Sequence, residues 1–569
     1  MLVTLALALL LRLALLSVRW INADEGAHLL DARLVWQGMV PIIDYASRQP
    51  LYTYLLALFV KAFGTSLAAG RLLPLFASLA IAWMIYLIVR QLFDAASGWL
   101  AAAIYLFLPY TLIWSTVVKT EMPAVLFVCV SAWLFIQTLQ QPRRWDLLLL
   151  AGMSAALAFY VRQSTLYLPV AVVLCLWIGE GFCKRLVWQK IAVFSAGFAL
   201  VGAVVLWFYG GALTFEQMLF SQLNPLNLVW NRVAHSLGIL PAAMRIVDRE
   251  GFRILDQEVG YTLRAWRESI LFSFFIVTAA LWSLGRYLSK RNKPGKDPAY
   301  LFLALWIFIL LLAYAFQSAS RGFYSQYFLE SLPAWLILAV PVIRGSLQGR
   351  HLLQRFVTVS GLFVLLFLAQ RLMWQWRWPL WGHVVAAVVI SAAVLLIRRY
   401  AFARETAPLT AAGLAVLMMT ASVSGSVIGP KYECGWSPRT LDRVVALLQQ
   451  QGQRSDTVLS GAMIWTHTSG LQPWGGVSHP TLFFMKYDPH FERDFEEAPP
   501  LFIIMDGYTE KKFSRYRAFL DRMVAERYER LASVPGSKWR VDVYRLAGAP
   551  ALPEAALAAR LDPPRELWP

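Results

Sequence analysis

Two adjacent carboxylates, Asp24 and Glu25, follow the first apolar run of the chain directly. They open a stretch in which Ala27, Leu30, Leu34 and Val35 recur at helical spacing. A helix of this pattern lying along a membrane surface holds both acids at the water boundary, where they are available to a polar ligand. The same position suits a structural role, because negative side chains at a helix start complement its dipole; position alone leaves both readings standing. A further acid, Glu121, begins a later apolar run in Val118-Lys119-Thr120-Glu121-Met122-Pro123. Thr120 as N-cap and Pro123 in the first turn make this an ordinary helix start, yet acids kept at membrane depth are functional candidates. Arg48, in Arg48-Gln49-Pro50-Leu51-Tyr52, closes the same early loop and opens an amphipathic stretch from Leu51 to Phe63. On its own it reads as a snorkelling interface residue. Arg321, in the run Ser320 to Tyr327, places a guanidinium beside Tyr324 and Tyr327. Its planar fork binds phosphate oxygens bidentately, which suits a phosphate or glycan partner.

The elements that must position these residues are membrane helices. A chain of 569 residues at 58% hydrophobic and 15% charged lies outside the range of soluble domains. The net charge of +18 does not point to nucleic acid, because the Lys and Arg residues punctuate the gaps between apolar runs and form no single tract. The 24 tryptophans and 22 tyrosines fit many membrane interfaces. Of the four cysteines, only Cys434 falls in a soluble region, and neither a disulfide framework nor a CxxC metal site is present. Apolar stretches of roughly 17 to 23 residues, each long enough to span a bilayer, predict about thirteen spans. These run over 2–18, 69–89, 98–114, 121–139, 146–161, 164–180, 191–212, 269–286, 299–316, 325–343, 356–371, 380–397 and 409–428. The first run lacks an A-x-A-like cleavage site and is expected to be retained as a span.

One set of short loops is rich in basic residues, including Arg143, Lys184, Lys290, Arg350 and Arg398, and is predicted to face the cytoplasm. The other set holds little more than Lys119, Arg162 and Arg321 where it is short, and contains the long loops 19–68 and 213–268. That face, and with an odd helix count the tail as well, is predicted to be extracytoplasmic. The sequence therefore divides into a membrane domain, 1–429, and a soluble α/β domain, 430–569. The latter is read as a helix at 439–451, apolar strands at 456–460 and 501–505, a charged amphipathic helix near 509–532, an alternating strand at 539–546 and a loose Ala- and Pro-rich tail.

These features resemble the GT-C membrane glycosyltransferases, and within them the branch of bacterial protein O-mannosyltransferases and the lipid A aminoarabinose transferase. The resemblance rests on the acidic pair after the first helix, the Arg48-to-Leu56 segment, the acid-plus-Pro motif at Glu121 and the small-residue helix and basic turn from Ala151 to Pro169. The Tyr-rich segment Ser320 to Pro333 and the α/β tail complete it. It implies a polytopic α-helical protein of GT-C fold in a bacterial inner membrane, with its active site and C-terminal domain extracytoplasmic. The implied donor is a polyprenyl-phosphate-linked sugar and the implied acceptor a glycan, lipid or protein. Asp24 is then the base, Glu25 and Glu121 orient substrates, and Arg48 and Arg321 bind the donor phosphate. His28, Tyr52, Tyr324 and Tyr327 line the substrate site, and a single displacement inverts the anomeric centre. No cofactor is expected: a divalent metal is compatible with such chemistry, but no HExxH, EF-hand or Asp-x-Asp motif supports one.

Glu121 stands where many relatives have Asp, and the tail has no WWD-type motif, so an oligosaccharyltransferase catalytic subunit is not expected. The paired histidines and β-trefoil of eukaryotic protein mannosyltransferases are absent from 213–268; the arginines there, such as Arg232 and Arg264, are read as facing lipid headgroups. The rival class is a transporter or lipid flippase. Against it stand the absence of an internal repeat and the clustering of acids at one boundary rather than the midplane. A non-catalytic scaffold subunit is the third reading. The sugar, the acceptor and the polyprenyl length are not legible in the sequence.

Overall fold

The computed structural model describes residues 1–45, 47, 50–214, 223, 274–289, 297–321, 325–348, 434–476, 490–536 and 540–550. The chain opens with helix α1 (Leu2–Leu16), the short strand β1 (Ile21–Asn22) and two further helices, α2 (Ala23–Trp36) and α3 (Pro50–Phe63). A bundle follows, made of α4 (Leu67–Leu92), α5 (Ala95–Phe107), α6 (Pro109–Trp114), α7 (Glu121–Gln140), α8 (Trp145–Val161), α9 (Tyr167–Glu180), α10 (Arg185–Tyr209), α11 (Phe274–Ser289), α12 (Pro298–Arg321) and α13 (Leu332–Gln348). Helices lie at each predicted span up to 343, with ends that differ from the predicted ones by up to seven residues. The predicted spans at 356–371, 380–397 and 409–428, and almost all of the loop 213–268, lie outside the described residues. Among the described residues four helical segments, Leu67–Leu92, Glu121–Gln140, Gln163–Glu180 and Arg185–Tyr209, are long and apolar enough to cross a membrane, and shorter apolar helices pack with them.

Two local devices shape the bundle. The predicted span 98–114 is broken into α5 and α6 because Pro109 has no N–H to offer the Tyr105 carbonyl. The Thr111 hydroxyl donates to that carbonyl instead, and also to the Leu108 carbonyl at 2.9 Å. Arg12, buried in α1, closes the same break by donating to the Leu106 carbonyl at 2.9 Å and to Ser115 Oγ at 3.0 Å. The second device is the crossing of α8 and α10. A Cβ on Gly152 would overlap the Phe194 carbonyl oxygen, and one on Gly197 would overlap that of Leu149. Reciprocal glycines thus let two backbones touch where apolar lipid gives helices little reason to associate. Across α7 and α8, Ser131 and Ser154 hydroxyls donate to the Ala151 and Phe127 carbonyls at 2.8 and 2.9 Å.

The C-terminal region comprises β2 (Cys434–Trp436), α14 (Pro438–Gln451), β3 (Thr457–Ser460), α15 (Ile464–Ser469), β4 (Gln472–Pro473), α16 (Phe491–Glu497), β5 (Phe502–Met505), α17 (Gly507–Lys512), α18 (Arg517–Arg527), β6 (Tyr528–Val534) and β7 (Val541–Leu546). Its mixed five-stranded sheet has the order β4-β3-β5-β7-β6, with β4, β3 and β5 parallel and β7 antiparallel to both its neighbours. The α/β expectation holds in outline, with one correction. The charged stretch 509–532 is not one helix: it is α17, a short turn, α18 and the first residues of β6. Pairing of Tyr528 with Leu546 and Val534 with Val541 draws the chain into the sheet, and those long-range bonds outweigh the helical pattern of its charges.

This region is not a detached module. β2 pairs antiparallel with β1, and Trp436, Val444, Ile464 and Phe502 share one core with Ile21, Leu29 and Tyr52. Gly26 of α2 lies so close to α15 that a Cβ there would overlap the Ile464 backbone nitrogen. Arg33 donates to the Leu471 carbonyl at 2.8 Å, and His467 Nε2 lies 2.9 Å from the Thr65 carbonyl. The C-terminal sheet therefore caps the end of the bundle that carries Asp24.

Candidate active site

The frame of the site is Glu25. Asn22 caps α2: its side chain accepts from the Asp24 N–H at 3.0 Å, while the Asn22 N–H donates to Glu25 Oε2 at 2.9 Å. Arg71 of α4 grips the same carboxylate bidentately, Nε to Oε1 and Nη2 to Oε2, both at 2.8 Å, and the Val118 N–H adds a bond to Oε1 at 3.0 Å. Arg71 also donates to the carbonyls of Leu16 at 2.6 Å and Arg19 at 3.3 Å. Glu25 is 0% exposed, and its four acceptor positions are all taken. Its ion pair with Arg71 ties α2, α4 and the connection between α6 and α7 together.

Asp24 differs because successive helical residues point about 100° apart. Its side chain is 42% exposed, and Oδ2 lies 2.9 Å from Lys119 Nζ, which is buried beside it. On the other oxygen, the Tyr508 hydroxyl of α17 reaches Oδ1 at 3.4 Å. The protein surroundings oppose ionisation, but the Lys119 ammonium, aided by His28 and Lys512, outweighs them and holds the carboxyl well below the usual carboxylate range.

Two residues beyond Lys119, Glu121 opens α7. Its Oε1 pairs with Arg162 Nη1 at 3.2 Å. Arg162, at the end of α8, also donates to Thr120 Oγ1 at 3.0 Å and to Glu330 Oε1 at 2.6 Å, and its guanidinium lies 4.7 Å from the Tyr327 ring centre. Glu330 is fixed further by the Ser164 hydroxyl at 2.9 Å and, through its backbone carbonyl, by Trp306 Nε1 at 3.0 Å. Glu121 Oε2 and the Tyr52 hydroxyl are both buried and have no hydrogen-bond partner among the described residues. The Tyr52 ring meets His28 edge-on, with centroids 4.9 Å apart.

Of the residues singled out from the sequence, Asp24, His28, Tyr52, Glu121 and Tyr327 thus fall along α2, α3, α7 and the turn before α13. Arg48 and Tyr324 lie outside the described residues, as does the side chain of Arg321, whose backbone ends α12. Sequence reasoning gave no role to Lys119, although it quoted the motif containing it, and noted Arg162 only as a basic turn. It missed Glu330, which lies within the quoted Tyr-rich segment, and Tyr508 and Lys512, for which no local signal exists. Among the described residues, no three His, Cys, Asp or Glu side chains group where they could hold a metal ion.

Residues 47–208, the stretch from the end of the first loop through α10, match the family model described as dolichyl-phosphate-mannose-protein mannosyltransferase. No curated protein sequence matches the chain. Among solved structures, ArnT from Cupriavidus metallidurans in the apo state is 14% identical with a TM-score of 0.55, covering 95% of this chain and 97% of that one. The same protein bound to undecaprenyl phosphate is 15% identical, TM-score 0.56, covering 96% and 99%. The Archaeoglobus fulgidus oligosaccharyltransferase tethered with an acceptor peptide is 13% identical, TM-score 0.51, covering 94% of this chain and 74% of that one. The match over nearly the full length of both chains shows that this chain has the GT-C fold of the ArnT structures.

Proposed function

We propose that the protein transfers a sugar from a polyprenyl-phosphate-linked donor to an extracytoplasmic glycan, lipid or protein acceptor, with inversion, at a bacterial inner membrane. The observation that carries this reading is Asp24: a half-exposed carboxylate on a rigid buried frame, paired with a cation, on a fold whose solved form in ArnT binds undecaprenyl phosphate. In the proposed step the acceptor oxygen forms a bond to the anomeric carbon as the bond from that carbon to the phosphate oxygen breaks. The phosphate leaves with the electron pair, and the acceptor proton passes to Asp24. A phosphate is a weak base, so its departure requires charge stabilisation rather than a strong acid. Arg48 and Arg321 are proposed for that task. Lys119 joins them in this reading: when donor phosphate draws the ammonium away from Asp24, the carboxylate loses its ion-pair partner and gains basicity with the donor in place. Glu121 and His28, with Tyr52, Tyr324 and Tyr327, are proposed to hold the sugar and acceptor.

The test uses the full-length protein in liposomes with a panel of polyprenyl-phosphate sugars, products being read by mass spectrometry. A glycosidic product that Asp24→Asn abolishes, with the variant still folded, is expected. Transfer retained in Asp24→Asn rejects the base assignment. Scrambling of a labelled donor lipid without any glycosidic product rejects the transferase reading in favour of a flippase.

A further inference from the structure

Asp24 is held from two sides by residues far apart in sequence. Lys119 takes Oδ2 at 2.9 Å, from the connection between α6 and α7. Tyr508 approaches Oδ1 at 3.4 Å from α17, a helix of the C-terminal domain. The position of Tyr508 is itself built. Asp506 caps α17, its Oδ1 accepting from the N–H groups of Tyr508 at 3.0 Å and Thr509 at 2.7 Å, and its Oδ2 from Trp465 Nε1 at 3.1 Å. The Thr509 hydroxyl accepts from the Gly461 N–H at 2.9 Å, which fastens the helix to the end of β3. One turn beyond Tyr508, the buried Lys512 sets its ammonium 5.0 Å from the Tyr508 ring centre. Trp436, on the strand paired with β1, meets the Tyr508 ring edge-on. Because β1 runs directly into Asp24, the C-terminal domain reaches this carboxylate by both strand and side chain.

A single ion pair fixes one oxygen of a half-exposed carboxylate and leaves its plane to rotate; a donor on the second oxygen fixes the plane. We infer that the C-terminal domain is part of the catalytic centre, and that Tyr508 is the positioning residue through which it orients the Asp24 carboxylate toward the acceptor proton. This inference rests on Asp24 acting as base. Among the described residues, the groups facing Asp24 are Lys119 from the bundle, His28 from its own helix, and Tyr508 and Lys512 from the C-terminal domain. The C-terminal domain thus supplies half of them.

The experiment compares wild type, Tyr508→Phe and Asp24→Asn in full-length, lipid-reconstituted protein, with a polyprenyl-phosphate sugar as donor. Tyr508→Phe keeps the ring packing and removes only the hydroxyl. It is expected to lower kcat about tenfold, in the range of a lost positioning contact in catalysis, with donor KM and unfolding midpoint at wild-type values. Purely structural contact between the domains would instead lower the midpoint and leave kcat per folded molecule unchanged, and that result overturns the inference. Should Tyr508→Phe also lower the midpoint, kcat per folded molecule is read well below both midpoints, where a fall at constant KM supports the inference and wild-type kcat overturns it. Transfer retained in Asp24→Asn removes the base reading itself, an outcome separate from either result at Tyr508.

Discussion

Asp24 and Glu25 are neighbours with the same chemistry and opposite fates, and the difference follows from helix geometry. One residue's rotation turns Glu25 into the bundle, where Arg71 and two backbone N–H groups take all its oxygens, while Asp24 remains at the edge beside Lys119. Removing one partner of a buried pair leaves the other charge stranded, at a cost of about 3–5 kcal/mol. Glu25→Gln is therefore expected to lower the unfolding midpoint in detergent sharply. Asp24→Asn loses the charge beside buried Lys119 but keeps an amide oxygen at a half-exposed position, and is expected to destabilise less than Glu25→Gln while losing transfer. Equal destabilisation of the two variants would refute this division of labour. The acids themselves were legible in the sequence because a carboxylate stands out against an apolar run. Their partners were less so: Arg71 sits inside an apolar stretch 46 residues away, where it reads as an interface residue, and only the fold brings it to Glu25. Arg162 was visible as the lone cation between two spans, but its simultaneous grip on Glu121 and Glu330 depends on α12 and α13, which no local pattern relates to α8.

At the scale of elements, hydropathy and length located the helices well, since a segment that must cross hydrocarbon cannot be short or polar. Their interruptions were harder to see. The span 98–114 reads as continuous, yet Pro109 splits it, and the freed carbonyls are met by Thr111 and Arg12. Arg12 lies in the first span, where an arginine is costly unless bonded. Here it holds the start of the segment that runs from Ser115 to Lys119 and on to Glu121. Arg12→Leu removes the donors to the Leu106 carbonyl and to Ser115, and a buried acceptor left unpaired costs about 1–3 kcal/mol. The expected outcome is a lower unfolding midpoint together with a lower kcat, because the same segment carries Lys119. A variant that keeps wild-type values for both would show that the break needs no clamp. The charged run 509–532 failed as a helix prediction for the opposite reason. Its charges have helical spacing, but the hydrogen bonds that decide its end come from the next strand, β7, and the spacing of the charges carries no sign of that pairing.

The whole molecule depends on how the C-terminal domain is seated, and one histidine gives that seating a pH dependence. His467 is buried on α15 with Nε2 against the Thr65 carbonyl, so the neutral ring donates there; Nδ1 has no hydrogen-bond partner among the described residues. Burial, aided by nearby Arg33 and opposed by the Thr65 bond, lowers its pKa from the ordinary 6.5 to about 4. Between those values the unfolded chain binds a proton that the folded chain refuses, so stability rises with pH across that window. The contribution of His467 is complete above pH 6.5 and is lost as the pH falls toward 4, for a total of about 3 kcal/mol at 1.36 kcal/mol per unit. His467→Gln keeps an N–H donor for Thr65 and cannot titrate. Unfolding midpoints of wild type and His467→Gln, measured at intervals from pH 7.5 to 4, are expected to diverge below 6.5, with wild type falling further. Other groups, among them Asp506, whose carboxyl is raised by burial, titrate in both proteins and cancel in the difference. Parallel curves would show that the proton is excluded by something other than this ring. Since α15 packs on α2 through Gly26 and Ile464, two residues along the helix from Asp24, loosening at His467 is expected to appear in transfer before global unfolding. A fall in kcat with acidification that His467→Gln abolishes would place the seating of the domain, rather than the titration of Asp24, at the origin of the acid limb.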